Sequence, residues 1–486
     1  MDEPVDEPVD DRSPARPPSA GAEDRPGVTP VDLGRPRRIH VVGVGGSGMG
    51  PIARVLAAMG HDVRGSDQRE PADRAGLEAA GITVYAGHDA AHVGDAELLA
   101  CSTAVPATNP EVVAAREAGI PVLRRADVLA AVAATKRTIA VAGTHGKTTT
   151  SAMLAHVLLE TGVRPSFIVG GTVTSVGSGA QWDDGEWFVV EADESDGTFL
   201  ELGAEIAIVT NVEPDHLEHY GGFEPLVAAF RRFLAEARGS AFVGADDELA
   251  ARLGREAGAT LVGAADDAAV RMAGVRPGAG GVDFDLARVG EGPVAVHVPL
   301  PGVHNARNGA LALAAAAAVG VDLGDAAKAL GTFAGVGRRF ERRGEAAGVT
   351  LVDDYAHLPT EVEAALAAAR DGGWERVVCV FQPHRYSRTQ ALWRDFADSF
   401  GDADLLAVTD IYASGEAPRP GVSGKLIVDA VLDAHPWKHV AYLPRLDDVV
   451  VWLRGVLRPG DLCLTLGAGD LTTLPPRILE MLEART

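Results

Sequence analysis

The residues Gly143-Thr144-His145-Gly146-Lys147-Thr148-Thr149 limit what this chain can fold into more than any other feature. They follow the apolar run Thr138-Ile139-Ala140-Val141-Ala142 and lead into a helical pattern from Thr149 to Glu160. Strand, glycine turn and helix in that order are the unit from which parallel α/β sheets are built. The glycines allow backbone N–H groups to close around phosphates at the helix N-terminus, an exposed Lys147 reaches the β and γ groups, and the Thr148 hydroxyl suits Mg²⁺. Val141 stands where the eight-residue phosphate-loop pattern has its first glycine, so this is the shorter Gly-Thr-x-Gly-Lys-Thr form.

A second glycine turn, Gly43-Val44-Gly45-Gly46-Ser47-Gly48, follows the apolar run Arg38-Ile39-His40-Val41-Val42 and opens a helix through Met49, Ile52, Val55 and Leu56. Asp67 comes roughly 20 residues later, which completes a dinucleotide fingerprint. The physics is less particular than the fingerprint. Any diphosphate next to a ribose fits the turn and the carboxylate, so UDP is accommodated as well as a nicotinamide dinucleotide.

Two acidic runs lie at the ends of apolar strands. Glu191-Ala192-Asp193-Glu194-Ser195-Asp196 follows Trp187 to Val190, and Asn211-Val212-Glu213-Pro214-Asp215-His216 follows Ile206 to Thr210. Ligands of open α/β sheets bind at such strand ends. Glu191 is therefore expected to ligate Mg²⁺, with His216 as a second metal ligand or general base.

With 486 residues the chain exceeds what one hydrophobic core sustains. Four segments are expected: a disordered tail over 1–35, and α/β domains over 36–135, 136–335 and 336–486. In the second domain the Gly-rich passage Gly274 to Gly281 leads to a hairpin around Val282 to Pro299, helices over Asn305 to Val319 and Leu323 to Leu330 close the domain, and the basic stretch Arg338, Arg339, Arg342, Arg343 marks a hinge into the third. The formal net charge of −24 opposes nonspecific binding to nucleic acid or an anionic membrane. Cys101, Cys379 and Cys463 are far apart beside apolar runs, as buried free thiols are, and no apolar run approaches the ~20 residues of a membrane span. A cytoplasmic location is expected, with monomer and homodimer both open.

Taken together, the two glycine turns and the two acidic runs occur in the order seen in the Mur ligases, and the resemblance covers residues 37 to 470. Its specific form is the GxGGxGM first turn with Asp353-Asp354-Tyr355-Ala356-His357, Phe381-Gln382-Pro383-His384-Arg385 and Asp410-Ile411-Tyr412. The resemblance implies an N-terminal Rossmann-like UDP-binding domain, a central P-loop ATPase and a C-terminal Rossmann-like domain. It also implies ATP-dependent ligation through an acyl phosphate, with ATP, Mg²⁺, UDP-N-acetylmuramate and L-alanine as partners.

Family roles then fall on matching positions. Gly43, Gly45, Gly46, Gly48, Met49 and Asp67 would hold the UDP substrate. Gly143 to Thr149 with His304, Asn305, Asn308 and Asp354 would hold ATP, and Thr148, Glu191 and His216 the metal. Tyr355, His384, Arg385 and Arg388 would surround the carboxylate and amino acid, Lys147, His216, Arg385 and Arg388 being the catalytic candidates. The sequence departs from the family at Leu358, where histidine is usual, and at Arg307, where the spacer is usually apolar. A murein tripeptide recycling ligase, a nicotinamide-dependent dehydrogenase and a nucleotide-switch protein are the alternatives.

Overall fold

The computed structural model describes residues 31–484 and arranges them around three sheets. Five parallel strands form the first, in the order Thr83–Ala86, Asp62–Asp67, Arg38–Val42, Leu98–Cys101, Val122–Arg124. Growth of the sheet reverses direction at Arg38–Val42, which opens a crevice beyond its C-terminal end. The interior strands Arg38–Val42 and Leu98–Cys101 are largely buried and read as apolar runs, whereas Asp62–Asp67 is interior yet mostly polar. Thr83–Ala86, a short edge strand with exposed ends, carries no such signal.

The central sheet has ten strands. Its middle is parallel, and Arg137–Ala142 lies between Trp187–Glu191 and Ile206–Val209. Val141 pairs with Glu191 and Ala142 with Val209, so the phosphate loop and both acidic runs leave the sheet side by side at one edge. The helix Lys147–Glu160 is buried along almost its whole length and packs on the Ala-rich helix Val303–Ala318, whose small side chains permit close approach. The hairpin starts earlier than expected. Gly274 and Gly278 belong to the strand Val270–Gly278, which alternates buried Val270 and Met272 with exposed residues and pairs with Gly281–Arg288.

The third sheet runs Glu341–Ala346, Val349–Asp354, Asp461–Leu466, Arg376–Phe381, Leu405–Val408, Val440–Tyr442, parallel except at its first, antiparallel edge. Arg342 and Arg343, expected in a loop-like hinge, sit in that edge strand, where charge discourages further pairing. The Gly335–Gly337 segment is pinned to the central sheet: Val336 is buried and bridges to Val173, and Gly337 N donates to Thr172 O at 2.9 Å.

Residues 1–30 of the expected tail lie outside the described residues. Residues 31–35 correct that expectation, because Leu33 is 5% exposed and joins the first core. The same apolar cluster continues from Ile39, Leu129 and Val132 to Phe199, Leu202 and Phe230, so the first domain is docked on the central one. Cys379 and Cys463 are buried and Cys101 is partly buried, all as free thiols. No described helix is long and apolar enough to cross a membrane.

Candidate active site

The phosphate loop needs its glycines for two reasons at once. Gly143 has φ +128° and a Cβ there would meet Thr210 Oγ1 at 2.0 Å; Gly146 has φ +81° and its Cβ would meet Asn308 Oδ1 at 2.5 Å. The loop is fastened by the neighbouring strand end: Thr210 Oγ1 donates to His145 O at 2.6 Å, and Asn211 Oδ1 accepts from His145 N at 2.8 Å.

Lys147 is not the exposed loop lysine that the sequence suggests. Its Nζ turns inward, donating to Gly143 O at 2.7 Å, Thr144 O at 3.2 Å and Glu194 Oε1 at 2.8 Å. Burial works against its charge, but Glu194 and Asp193 outweigh burial and raise its pKa. Glu194 is 2% exposed, and burial pushes its carboxyl up to about 7 against the pull of Lys147.

Thr148 Oγ1 donates to Glu191 Oε1 at 2.9 Å, and Glu191 Oε2 accepts from Gly170 N at 2.6 Å. His216 stands apart from this pair. It adopts φ +52°, its Nε2 lies 3.3 Å from Asp215 Oδ2, and burial lowers its pKa despite the opposing Asp215. Among the described residues, no group of three or more His, Cys, Asp or Glu side chains is arranged to hold a metal.

A cavity of about 260 Å³ opens between the central and third domains. It gathers His145, Gly146, Thr149, His304, Asn305, Asn308 and Asp354, which are far apart in the chain. Asn305 Nδ2 donates to Pro301 O at 2.7 Å, and Arg307 pairs with Asp246 at 3.0 Å, half-exposed at this cavity. Asp354 accepts from Ala356 N and Phe340 N, both at 2.7 Å, yet burial raises its carboxyl to about 6. Leu358 is buried at the start of the helix Pro359–Asp371.

Arg338 and Arg339, the latter lining this cavity, lie over the Tyr355 ring at 4.7 and 5.0 Å, and His384 stacks on Tyr412 at 5.9 Å. Burial lowers His357 to about 4 and His384 to about 3, so both rings are neutral. Arg388 Nη2 reaches across to the central domain and donates to Asp215 Oδ1 at 3.0 Å, while Nη1 lies 3.2 Å from His384 Nδ1. Arg385, at φ +67°, leaves its buried Nε without a hydrogen-bond partner.

In the first domain a cavity of about 500 Å³ occupies the crevice, lined by Gly43, Gly46, Asp67, His88, Ser102 and Asn109 among others. Asp67 Oδ2 accepts from Gly45 N at 3.0 Å. Met49, expected at the substrate, is 1% exposed and belongs to the apolar core. Gly48 faces Arg125, whose Nε would lie 3.0 Å from a Cβ there and whose Nη1 lies 3.9 Å from Asp196.

Several residues at these sites escape sequence reasoning. Glu194, Glu213 and Asp215 lie inside the acidic runs, but their partners Lys147, His145 and Arg388 are fixed only by folding; Asp215 and Arg388 are 173 residues apart. Arg125 and His88 carry no local signal. His88 is held by the fully buried Glu111, Nδ1 to Oε2 at 2.9 Å.

Three family models match in order: "Mur ligase family, catalytic domain" over residues 38–137, "Mur ligase middle domain" over 141–318, and "Mur ligase, glutamate ligase domain" over 338–469. The chain is 43% identical over 450 residues to the UDP-N-acetylmuramate–L-alanine ligase of Rubrobacter xylanophilus, covering 92% of this chain and 100% of that one. Identity to the enzyme of the same name from Saccharopolyspora erythraea is 45%, covering 92% and 93%. Among solved structures, the UDP-N-acetylmuramate–alanine ligase of Thermotoga maritima superposes with a TM-score of 0.79 at 29% identity, covering 93% of this chain and 100% of that one. A murein peptide ligase from Psychrobacter arcticus has the same fold, with a TM-score of 0.67 at 24% identity and coverage of 92% and 99%. With matching models along most of its length and such relatives end to end, the chain belongs to the Mur ligase family.

Proposed function

We propose that this chain joins L-alanine to the lactyl carboxylate of UDP-N-acetylmuramate at the expense of ATP, the first amino-acid addition of peptidoglycan stem-peptide synthesis. The observation that carries the reading is the convergence of the three domains. Arg388 of the third domain reaches Asp215 at the strand-end edge from which the phosphate loop and both acidic runs emerge, and the first domain's Arg125 lies 3.9 Å from Asp196 in one of those runs. The names of the full-length relatives support the same substrates.

In this reading the sugar nucleotide occupies the first-domain cavity, with its diphosphate at the Gly43–Gly48 turn and its ribose near Asp67. ATP lies in the cavity between the central and third domains, with adenine near His304, Asn305 and Asn308 and ribose near Asp354. The lactyl carboxylate attacks the γ-phosphorus, ADP leaves and an acyl phosphate forms. Lys147 and the loop amides stabilise the charge on the transferring group. The hard oxygens of Thr148 and Glu191 fit Mg²⁺, which accepts few protein ligands and, when bound, neutralises phosphate charge. His216, whose pKa burial lowers, would offer a neutral ring to the incoming amine as general base, or to a metal ion as a further ligand. The amine attacks the acyl carbonyl and phosphate is expelled. Arg385 and Arg388 grip carboxylates on the acceptor side, where paired guanidiniums suit a planar group. Closure of the third domain excludes water, which would hydrolyse the acyl phosphate. The free thiols and the absence of a membrane-spanning helix among the described residues support a cytoplasmic location.

Phosphate release from ATP tests the reading. It should require UDP-N-acetylmuramate and L-alanine together. Preference for a murein tripeptide over alanine would replace it with the recycling reaction, and reduction of a nicotinamide dinucleotide would remove it altogether.

A further inference from the structure

His145 sits at the crown of the phosphate loop with both ring nitrogens engaged. Nδ1 lies 3.2 Å from Glu361 Oε1, and Nε2 lies 3.2 Å from Glu213 Oε2 and 3.3 Å from Thr360 Oγ1. Glu213 belongs to the central domain, whereas Thr360 and Glu361 begin the third-domain helix Pro359–Asp371. A carboxylate facing each nitrogen calls for a proton on each, which makes the ring an imidazolium. Thr360 Oγ1 also donates to Glu213 Oε2 at 3.1 Å, closing a ring of contacts across the domain boundary. The backbone of the same histidine is tied to Thr210 and Asn211, so the position of its ring and the shape of the loop are coupled.

We infer that Glu361 is a positioning residue that acts through His145: docking of the third domain holds the imidazolium against the phosphate loop, adding positive charge beside the bound triphosphate and linking ATP binding to domain closure. This rests on the proposed binding of ATP at the loop. The electrostatics agree with the geometry. Burial disfavours charge on His145, but hydrogen bonds to Glu213 and Glu361 prevail and raise its pKa to about 9. Asp247 lies on the central side, and His357, Arg339 and Asp354 surround Glu361.

Glu361 also has a purely structural task. Its Oε2 accepts from His357 N at 2.9 Å and Leu358 N at 3.1 Å, capping its own helix. Glu361→Gln separates the two tasks, because the amide oxygen still caps the helix while the amide NH₂ opposes the Nδ1–H of His145. The experiment is calorimetric titration of MgATP, without other substrates, into wild type, E361Q, H145Q and the double variant, with melting temperatures as a folding control. E361Q should weaken ATP binding by roughly tenfold or more, the scale of one hydrogen bond to a charged group. UDP-N-acetylmuramate affinity should not change. Because Glu361 acts through His145, the double variant should bind ATP no more weakly than H145Q alone.

A pH series adds a readout that a helix cap would not move. The raised histidine stabilises the latch fully below about 6.5, its unperturbed value, and loses that contribution as pH rises through about 9. Wild-type ATP affinity should therefore fall toward pH 9, and that fall should begin at lower pH in E361Q. ATP affinity of E361Q equal to wild type, or additive losses in the double variant, would overturn the inference alone. A wild-type protein that binds no ATP would overturn the nucleotide reading and the inference with it.

Discussion

Lys147→Ala should destabilise the protein by an amount that grows with pH, and the reason lies in the partner left behind. Lys147 holds Glu194, a carboxylate 2% exposed, at 2.8 Å. In the wild type, burial already places Glu194 at about 7 against an ordinary 4.5, so the folded state favours its protonated form. Removing the ammonium takes away the largest force opposing that shift and moves the folded pKa further up. The sign follows from linkage. An acid whose folded pKa is raised is most favourable to folding at low pH, and its contribution declines as pH rises from the unfolded to the folded value. In the wild type that decline ends near 7, whereas in the variant it continues. The difference between the two proteins should thus be nearly constant below pH 7. Above it, the difference should widen by up to about 1.4 kcal/mol per pH unit, the value for one proton. Thermal unfolding of both proteins from pH 5.5 to 8.5 measures this, with Glu194→Gln in the Lys147→Ala background as the control that should abolish the widening. Turnover should fall by orders of magnitude at every pH, since the transferring phosphate loses its cation. A stability difference that is flat or shrinking above pH 7, or near-normal phosphate release from the folded variant, would refute the reasoning.

Other consequences are open to simpler measurement. Arg388→Ala leaves Asp215 with its strongest cationic partner gone and removes an acceptor-side grip, so coupled assays should show ligation impaired by about 2–5 kcal/mol in the barrier while MgATP affinity by calorimetry changes little. Deletion of residues 1–30 should preserve activity, whereas deletion through Gly34 also removes the buried Leu33, about 2 kcal/mol of apolar burial, and should lower the melting temperature. No lysine occurs between Lys147 and Lys328, and Arg231 and Arg232 on the helix Phe223–Ala235 pair with Glu256 and Glu236 at the surface. A guanidinium stays protonated and forms no carbamate, so initial rates at fixed pH and ionic strength should be the same with and without bicarbonate.

The parts of the fold that the sequence made legible are those whose signal is local. Buried parallel strands such as Arg38–Val42, Arg137–Ala142 and Arg376–Phe381 are apolar on both faces, and the two glycine turns carry their geometry in a few adjacent residues. Edge strands are another matter. Glu341–Ala346 has four charged residues in six and is a strand because Val349–Asp354 offers it a partner, which no local pattern reveals. The site divides in the same way. Thr148 stood out through its glycine loop and Glu191 through the strand it ends, but that the two meet follows only from the register that sets Val141 beside Glu191. The contacts that join domains, Arg388 to Asp215 and Glu361 to His145, depend on how separately folded units dock, and a charged residue in a helix's first turn looks the same whether it caps that helix or reaches a neighbour.

The central claim is tested most directly by incubating the purified chain with ATP, Mg²⁺, UDP-N-acetylmuramate and L-alanine, and weighing the nucleotide product by mass spectrometry alongside phosphate release. The account predicts one new species, the sugar nucleotide plus one alanine residue, formed in step with one phosphate per ATP and absent when any one substrate is left out. Phosphate released without alanine transfer, or a product formed with the murein tripeptide and not with alanine, would contradict it.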